Sequence, residues 1–282
     1  KEMLDFSNHN YYNWRFGKIY YTKKGKGSPL LLIHDTMPGA SGYEWSRVED
    51  QLAQEHTVYT LDLLGCGRSE KAGITYTNFL FVQIICDFIK NVIKEKTDII
   101  ASGFSCSFVT TAAAYDKESI NKIMFINPVS MISLAQTTTK KDKLFKFFIE
   151  LPIFGTFIYH IIVSRETIND FFLDKLYYNP FHVDKDVLDA YYEAAHKGGY
   201  YAKCLYSSQS AKYMNINIRH AVESIDNSIY IVEGEDEPNG AAIVEAYQKV
   251  NPAIESATIP CSKHFPHIEN VDAFLEQVGA FF

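Results

Sequence analysis

The chain of 282 residues is 47% hydrophobic, 15% aromatic and 22% charged, with a formal net charge of -7. That balance excludes a disordered chain and a multispanning membrane protein, and it leaves one large domain or two small ones, each able to bury a core. Acidic side chains outnumber basic ones and no basic cluster is visible, so no nucleic-acid partner is expected.

Short β-rich runs at residues 18–22, 30–34, 57–61, 98–102 and 122–126 predict strands. Helical patterns at 47–54, 77–93 and 105–115 lie between them. Segment 77–93 is apolar almost all round (Phe79, Phe81, Val82, Ile84, Ile85, Phe88, Ile89), as expected of a helix packed on a sheet. From about residue 130 to 221 the strand signal stops. Helices and loops rich in aromatic pairs take over, among them Phe147 with Phe148, Phe171 with Phe172 and Tyr191 with Tyr192. Strands at 228–233 and 256–260 and helices at 241–249 and 271–281 then resume the alternation. The pattern predicts an α/β fold: a mostly parallel central sheet with helices on both faces. Residues 1–129 and 222–282 form the expected core domain, and 130–221 a helical cap inserted in it.

The longest apolar stretch, 144–163, is interrupted by Lys146, Glu150, Pro152 and His160. A spanning helix needs about 20 nearly uninterrupted apolar residues, so the stretch reads as buried or interfacial helix. Packing within the cap is preferred to contact with lipid, because Pro152 and Gly155 interrupt the helix. Cys66, Cys86, Cys106, Cys204 and Cys261 are dispersed, without the spacing of a disulfide framework or a zinc site. No signal peptide opens the sequence, which begins at Lys1. The expected location is the cytoplasm, or the membrane or the exterior had a leader been removed. The excess of lysine over arginine is consistent with an AT-rich bacterial genome.

The strongest chemical signal is Ala101-Ser102-Gly103-Phe104-Ser105-Cys106-Ser107, where a predicted strand runs into a helix. A sharp turn of this kind demands small residues two before and two after its apex. Gly103 and Ser107 meet that demand around Ser105, and the N–H of Cys106 would be free to hold an oxyanion. The alternative is an ordinary glycine-capped strand end with serines opening a helix. Cys106 is disfavoured as nucleophile because Phe104 and Phe108 would then crowd the turn.

Here the sequence resembles the α/β-hydrolase family over nearly its whole length. Leu30 to Gly42, with His34-Asp35-Thr36-Met37-Pro38-Gly39-Ala40, falls where that family has a strand and its His-Gly oxyanion loop. The spacing of Pro38-Gly39-Ala40 is similar to the branch that hydrolyses carbon–carbon bonds of ring-cleavage products. Asp62-Leu63-Leu64-Gly65-Cys66-Gly67-Arg68-Ser69 matches the family's D-x-x-G-x-G-x-S turn. His264-Phe265-Pro266-His267 through Phe274 resembles its catalytic-histidine loop and last helix.

The resemblance implies Ser105 as nucleophile and His264 as base, with His267 the competing histidine. It implies Thr36 and Cys106 as oxyanion donors. The third member falls in Gly234-Glu235-Asp236-Glu237, with Glu237 preferred and Asp236 the alternative. No metal or cofactor is implied, because His264-x-x-His267 lacks the helical spacing and carboxylate of a metalloprotease. Two departures stand out. Asp35 replaces the glycine after His34, and its carboxylate is expected to point away from the oxyanion loop. Lys263 replaces a small residue. The reading is a cofactor-independent serine hydrolase of the esterase or lipase kind, acting on an ester, thioester or related acyl bond of a hydrophobic small molecule. Alternatives are a hydrolase-fold binding or regulatory protein without turnover, a carbon–carbon bond hydrolase and an acyltransferase.

Overall fold

The computed structural model describes residues 2–4 and 10–282. Eight strands, β1 (Asn10–Trp14), β2 (Gly17–Lys24), β3 (Ser28–Ile33), β4 (His56–Leu61), β5 (Thr97–Ser102), β6 (Ile120–Ile126), β7 (Ile229–Gly234) and β8 (Glu255–Ile259), form one sheet. Its order is β1-β2-β4-β3-β5-β6-β7-β8. β1 pairs antiparallel with β2, and β2 with β4; every other pairing is parallel.

β3 shows why these runs form interior strands. Its Pro-Leu-Leu-Leu-Ile segment is fully buried, because helices cover both faces of a parallel sheet. Alternate residues point to opposite sides. Leu31 and Ile33 join one core with Phe81, Ile85 and Phe88 of helix α2 and Phe108 of helix α3. Leu30 and Leu32 join the other with Trp45, Phe274 and Val278. The helices on the sheet are α1 (Glu49–Leu52), α2 (Asn78–Phe88) and α3 (Ser105–Tyr115), and, after the cap, α11 (Gly240–Val250), α12 (Pro266–Glu269) and α13 (Val271–Phe281). α2 starts where the Thr77 hydroxyl accepts from the Leu80 N–H, and it continues into a wider turn over Ile89–Ile93.

Two expectations change. β1 was not anticipated: Asn-Tyr-Tyr-Asn-Trp buries only its last residue fully, so an edge strand of this kind lacks clean apolar alternation. The helix expected over 47–54 is a single turn preceded by a 3-10 turn over Gly42–Trp45.

Between β6 and β7 the chain forms α4 (Met131–Leu134), α5 (Lys140–Glu150), α6 (Phe154–Ile162), α7 (Arg165–Phe171), α8 (Lys185–His196), α9 (Cys204–Ser210) and α10 (Arg219–Ser224). α10 runs past residue 221 and packs against α3 and α11. A separate apolar cluster joins Tyr159, Val163, Phe172 and Tyr191 to Ala40, Phe265 and Ile268. These helices therefore sit on the loops that follow β3 and β8, at the ends of the strands where ligands of α/β sheets bind.

The stretch 144–163 departs from the expected buried packing. It breaks into α5 and α6, whose axes bend by 99°. Phe147, Phe148, Ile153, Phe154, Phe157 and Ile161 are exposed, while Ile149, Gly155, Tyr159 and Val163 are buried. Among the described residues no single helix is long and apolar enough to cross a membrane.

Candidate active site

Where β5 turns into α3, the residue in the left-handed region is Gly103, with φ +56°. A sharp strand-to-helix turn places its apex in that region, which a non-glycine residue enters only under strain. The apex is thus Gly103, flanked by the small residues Ala101 and Ser105, and the motif lies two residues earlier than the reading centred on Ser105. Ser105 is instead the first residue of α3. It is fully buried, and its hydroxyl donates to the His34 carbonyl at 2.5 Å. The structure does not bring Ser105 to His264, and this corrects its assignment as nucleophile.

A different side chain fills the space at the apex. A Cβ built on Gly103 would lie 2.2 Å from Oδ2 of Asp35. The Asp35 carboxylate points inward, contrary to expectation. Its Oδ1 accepts from the N–H groups of Thr36 at 2.7 Å and Phe104 at 2.9 Å. Its Oδ2 faces Nε2 of His264 at 2.7 Å. Cys106 does not belong to this set. Its N–H bonds to the Gly103 carbonyl at 3.3 Å, and burial holds its thiol well above the usual pKa. The convergent donors are Thr36 and Phe104, a correction to the expected pair of Thr36 and Cys106.

The loop that carries Asp35 is fixed from below. His34 Nε2 accepts from the Leu63 N–H at 3.0 Å, so its proton is on Nδ1 and donates to the Asp35 carbonyl at 2.7 Å. The Asp35 N–H donates to Glu44 Oε1 at 3.0 Å, and Glu44 Oε2 lies 3.0 Å from Nε2 of His267. His267 is fully buried, with its ring 4.7 Å from that of Trp45. It supports Glu44 and does not face the Asp35 carboxylate.

His264 lies between two carboxylates. Its Nδ1 is 3.1 and 3.2 Å from the two oxygens of Glu237, opposite the Asp35 contact on Nε2. Burial pushes the imidazole pKa down, but the hydrogen bonds and charges of Asp35 and Glu237 outweigh it and raise the pKa to about 10. The ring is therefore an imidazolium at neutral pH, donating on both sides. Asp236 turns away: it is exposed, and its N–H donates to the Ser262 carbonyl. Asn127, at the end of β6, ties the two loops together. Its amide donates to the carbonyls of Lys263 and His264 at 2.8 and 2.9 Å, and its Oδ1 accepts from the Gly234 N–H at 3.1 Å. The Lys263 ammonium reaches out to the Asp174 carbonyl, clear of the site.

Asp35, Thr36, Phe104, Glu237 and His264 open onto a cavity of about 490 Å³. Met37, Val129, Phe171, Leu176 and Tyr206 make much of its wall apolar. Among the described residues no group of three or more His, Cys, Asp or Glu could hold a metal ion.

Comparison with known proteins agrees with this architecture. The model of the alpha/beta hydrolase family matches residues 30–277. The chain belongs to that family. Curated relatives of this α/β hydrolase are themselves hydrolases. A 2-hydroxy-6-oxo-6-(2'-aminophenyl)hexa-2,4-dienoic acid hydrolase of Metapseudomonas resinovorans is 28% identical over 114 residues, 40% of this chain and 39% of that protein. A soluble epoxide hydrolase of Corynebacterium sp. (strain C12) is 29% identical over 109 residues, 39% of this chain and 37% of the relative. The matches thus span well under half of those relatives. Among solved structures, a serine hydrolase involved in carbazole degradation superimposes with TM-score 0.79 at 18% identity, over 96% of this chain and 97% of that one. The epoxide hydrolase CorEH gives 0.78 at 17% identity, over 98% of both chains. At such identities the likeness establishes the fold.

Proposed function

We propose that this α/β hydrolase acts on a hydrophobic small molecule bearing an electrophilic saturated carbon, such as a strained cyclic ether or an alkyl halide, with Asp35 as nucleophile. One observation carries the reading: Asp35 Oδ1 already occupies the two backbone donors. Donors so placed stabilise charge that develops on the atom they hold. Here that atom belongs to Asp35, which leaves no oxyanion site for a substrate carbonyl and argues against the ester or thioester reading. No cofactor is required.

In the first step Asp35 Oδ2 attacks the carbon and the carbon–leaving atom bond breaks, its electron pair departing with the leaving atom. An alkoxide takes the Nε2 proton of His264, whereas a halide leaves as the ion and that proton passes to water. Asp35 is then a neutral ester. His264 has lost one of its two carboxylate partners, so its pKa falls and the ring is left neutral once that proton has gone to the alkoxide or to water. In the second step a water attacks Asp35 Cγ, and His264 Nε2 accepts the water's proton. The N–H groups of Thr36 and Phe104 hold the oxyanion on Oδ1. The Cγ–Oδ2 bond breaks, the product alcohol leaves with the proton from His264, and the carboxylic acid that remains returns its proton to Nε2, which restores the carboxylate and the imidazolium. Glu237 keeps the imidazole oriented and charge-balanced throughout.

A single turnover in isotopically heavy water tests this, with a panel of aryl epoxides and haloalkanes as substrates. Heavy oxygen should appear in the peptide carrying Asp35, because water attacks Cγ. Product formed without label in that peptide overturns the assignment. A second reading, ligand binding without turnover, is favoured by the same closed pairing of Asp35 with His264. It predicts thermal stabilisation by those compounds with no product and no label.

A further inference from the structure

We propose that the elbow between α5 and α6 is a docking face for an anionic lipid bilayer, lying in the headgroup layer with its apolar crest against the acyl chains. Soluble proteins rarely leave a contiguous apolar patch uncovered, and here two adjoining helices do so. On α6, Phe154, Phe157 and Ile161 recur at three- and four-residue spacing along one exposed face, with Phe157 64% exposed. On α5, Leu144, Phe147 and Phe148 form a second exposed face, and Ile153 at the bend is 87% exposed. Ring contacts of Phe148 with Phe147 and Phe154 join the two faces into one surface.

The charge around this crest is opposite to that of the molecule. Against a net -7, the exposed Lys140, Lys141 and Lys143 gather at the start of α5, and none of the three forms an ion pair among the described residues. The acid among them, Asp142, is engaged by Thr139 and Lys212. Lys140 and Lys141 precede Leu144 by four and three residues and so share its face. An apolar face bordered by lysines is the pattern of a helix lying in a membrane interface.

The elbow is built rigidly. The buried Lys203 ammonium donates to the Leu151 carbonyl at 2.8 Å and the Thr156 hydroxyl at 2.9 Å, and lies 4.3 Å from the Tyr200 ring. Gly155 lets the two helices close: a Cβ there would sit 1.9 Å from the Ile149 carbonyl. The crest also adjoins the cavity, since Phe145 contacts the ring of Tyr206, which lines it. An apolar substrate dissolved in the bilayer would then be delivered beside the site.

Co-sedimentation of the full chain with phosphatidylcholine vesicles, with and without phosphatidylglycerol, tests the proposal independently of turnover. Wild type should pellet with the anionic vesicles and be released by salt. The double variant Phe154→Ser/Phe157→Ser, at exposed positions and checked for an unchanged Tm, should partition at least about tenfold less. Lys140→Gln and Lys141→Gln should each cost about fivefold on anionic vesicles alone. Wild type left in the supernatant with every vesicle, or serine variants that bind as wild type does, overturns it. So does a dimer in light scattering that the serine variants convert to monomer without any vesicle binding, since the face would then be a subunit interface.

Discussion

At the scale of single residues, two unusual positions make sense only together. Gly103 carries no side chain at the apex of the turn, and Asp35 supplies one from the neighbouring loop. Reversing the exchange is a direct test. Gly103→Ser alone forces a Cβ into the Asp35 carboxylate and a side chain into left-handed backbone, the latter costing about 1–2 kcal/mol. Adding Asp35→Gly removes the clash and leaves a serine facing His264. A fluorophosphonate probe should leave wild type and Ser105→Ala alike unlabelled and should label the double variant. Labelling of wild type that Ser105→Ala abolishes would restore Ser105 as nucleophile. The same pair sets a pH dependence. The folded-state pKa of His264, about 10, lies above its ordinary 6.5. Its contribution to stability is therefore fully present below about 6.5 and declines as pH rises toward 10. Between those limits wild type should lose more unfolding free energy in urea titrations than Asp35→Asn, in which one carboxylate partner is gone. Equal slopes for the two proteins would mean that His264 is not an imidazolium held by Asp35.

At the scale of elements, β3, β5, β6 and β7 were legible because each carries a short apolar run, at residues 30–33, 99–101, 123–126 and 229–232, the pattern expected of a parallel sheet covered on both faces. α3 and α13 fall on their expected bounds, since a strand-to-helix turn and a polar-to-amphipathic change mark their starts. β1 was hidden because half of an edge strand faces solvent. The exposed face of the α5–α6 elbow was not anticipated for a related reason: apolar content measures how readily a face leaves water, and it does not tell what, if anything, covers that face. Nor does the sequence advertise Asn127, one residue past β6, as the tie between the loops of Glu237 and His264. Asn127→Ala leaves two carbonyls and one N–H without that partner, and should cost about 2 kcal/mol or more of stability. The same change should lower kcat, because it frees the His264 backbone. Thermal melts and single-turnover kinetics read the two effects separately. A variant with a lowered Tm and an unaltered chemical step would confine Asn127 to folding.

At the scale of the whole molecule, the cavity is lined by separated loops and roofed by the cap, which is why motif position singled out His264 and Glu237 but not the Asp35 carboxylate that lies beside them. The elbow pattern of small residues fits Ser102 to Ser105 in more than one register, and only backbone dihedrals show which residue takes the apex. The inward turn of Asp35 depends on Thr36 and Phe104, which lie on different loops and carry no signal in their side chains, because the donors are main-chain groups. One close approach of cap to core is at Tyr191 of α8. Its carbonyl would lie 2.2 Å from a Cβ on Gly39, in the loop that follows Asp35, and its ring packs edge-on against Phe172 at 4.8 Å. Yet its hydroxyl is buried without a hydrogen-bond partner among the described residues, and burial holds its pKa well above the ordinary tyrosine value. The ring and the hydroxyl should therefore act in opposite directions. Tyr191→Ala opens a void between cap and core and should cost about 3–5 kcal/mol. Tyr191→Phe removes only the unpaired hydroxyl and should be neutral or stabilising by about 1 kcal/mol. Paired thermal melts of the two variants decide it. A destabilised phenylalanine variant would mean that the hydroxyl has a partner in solution, such as a bound water.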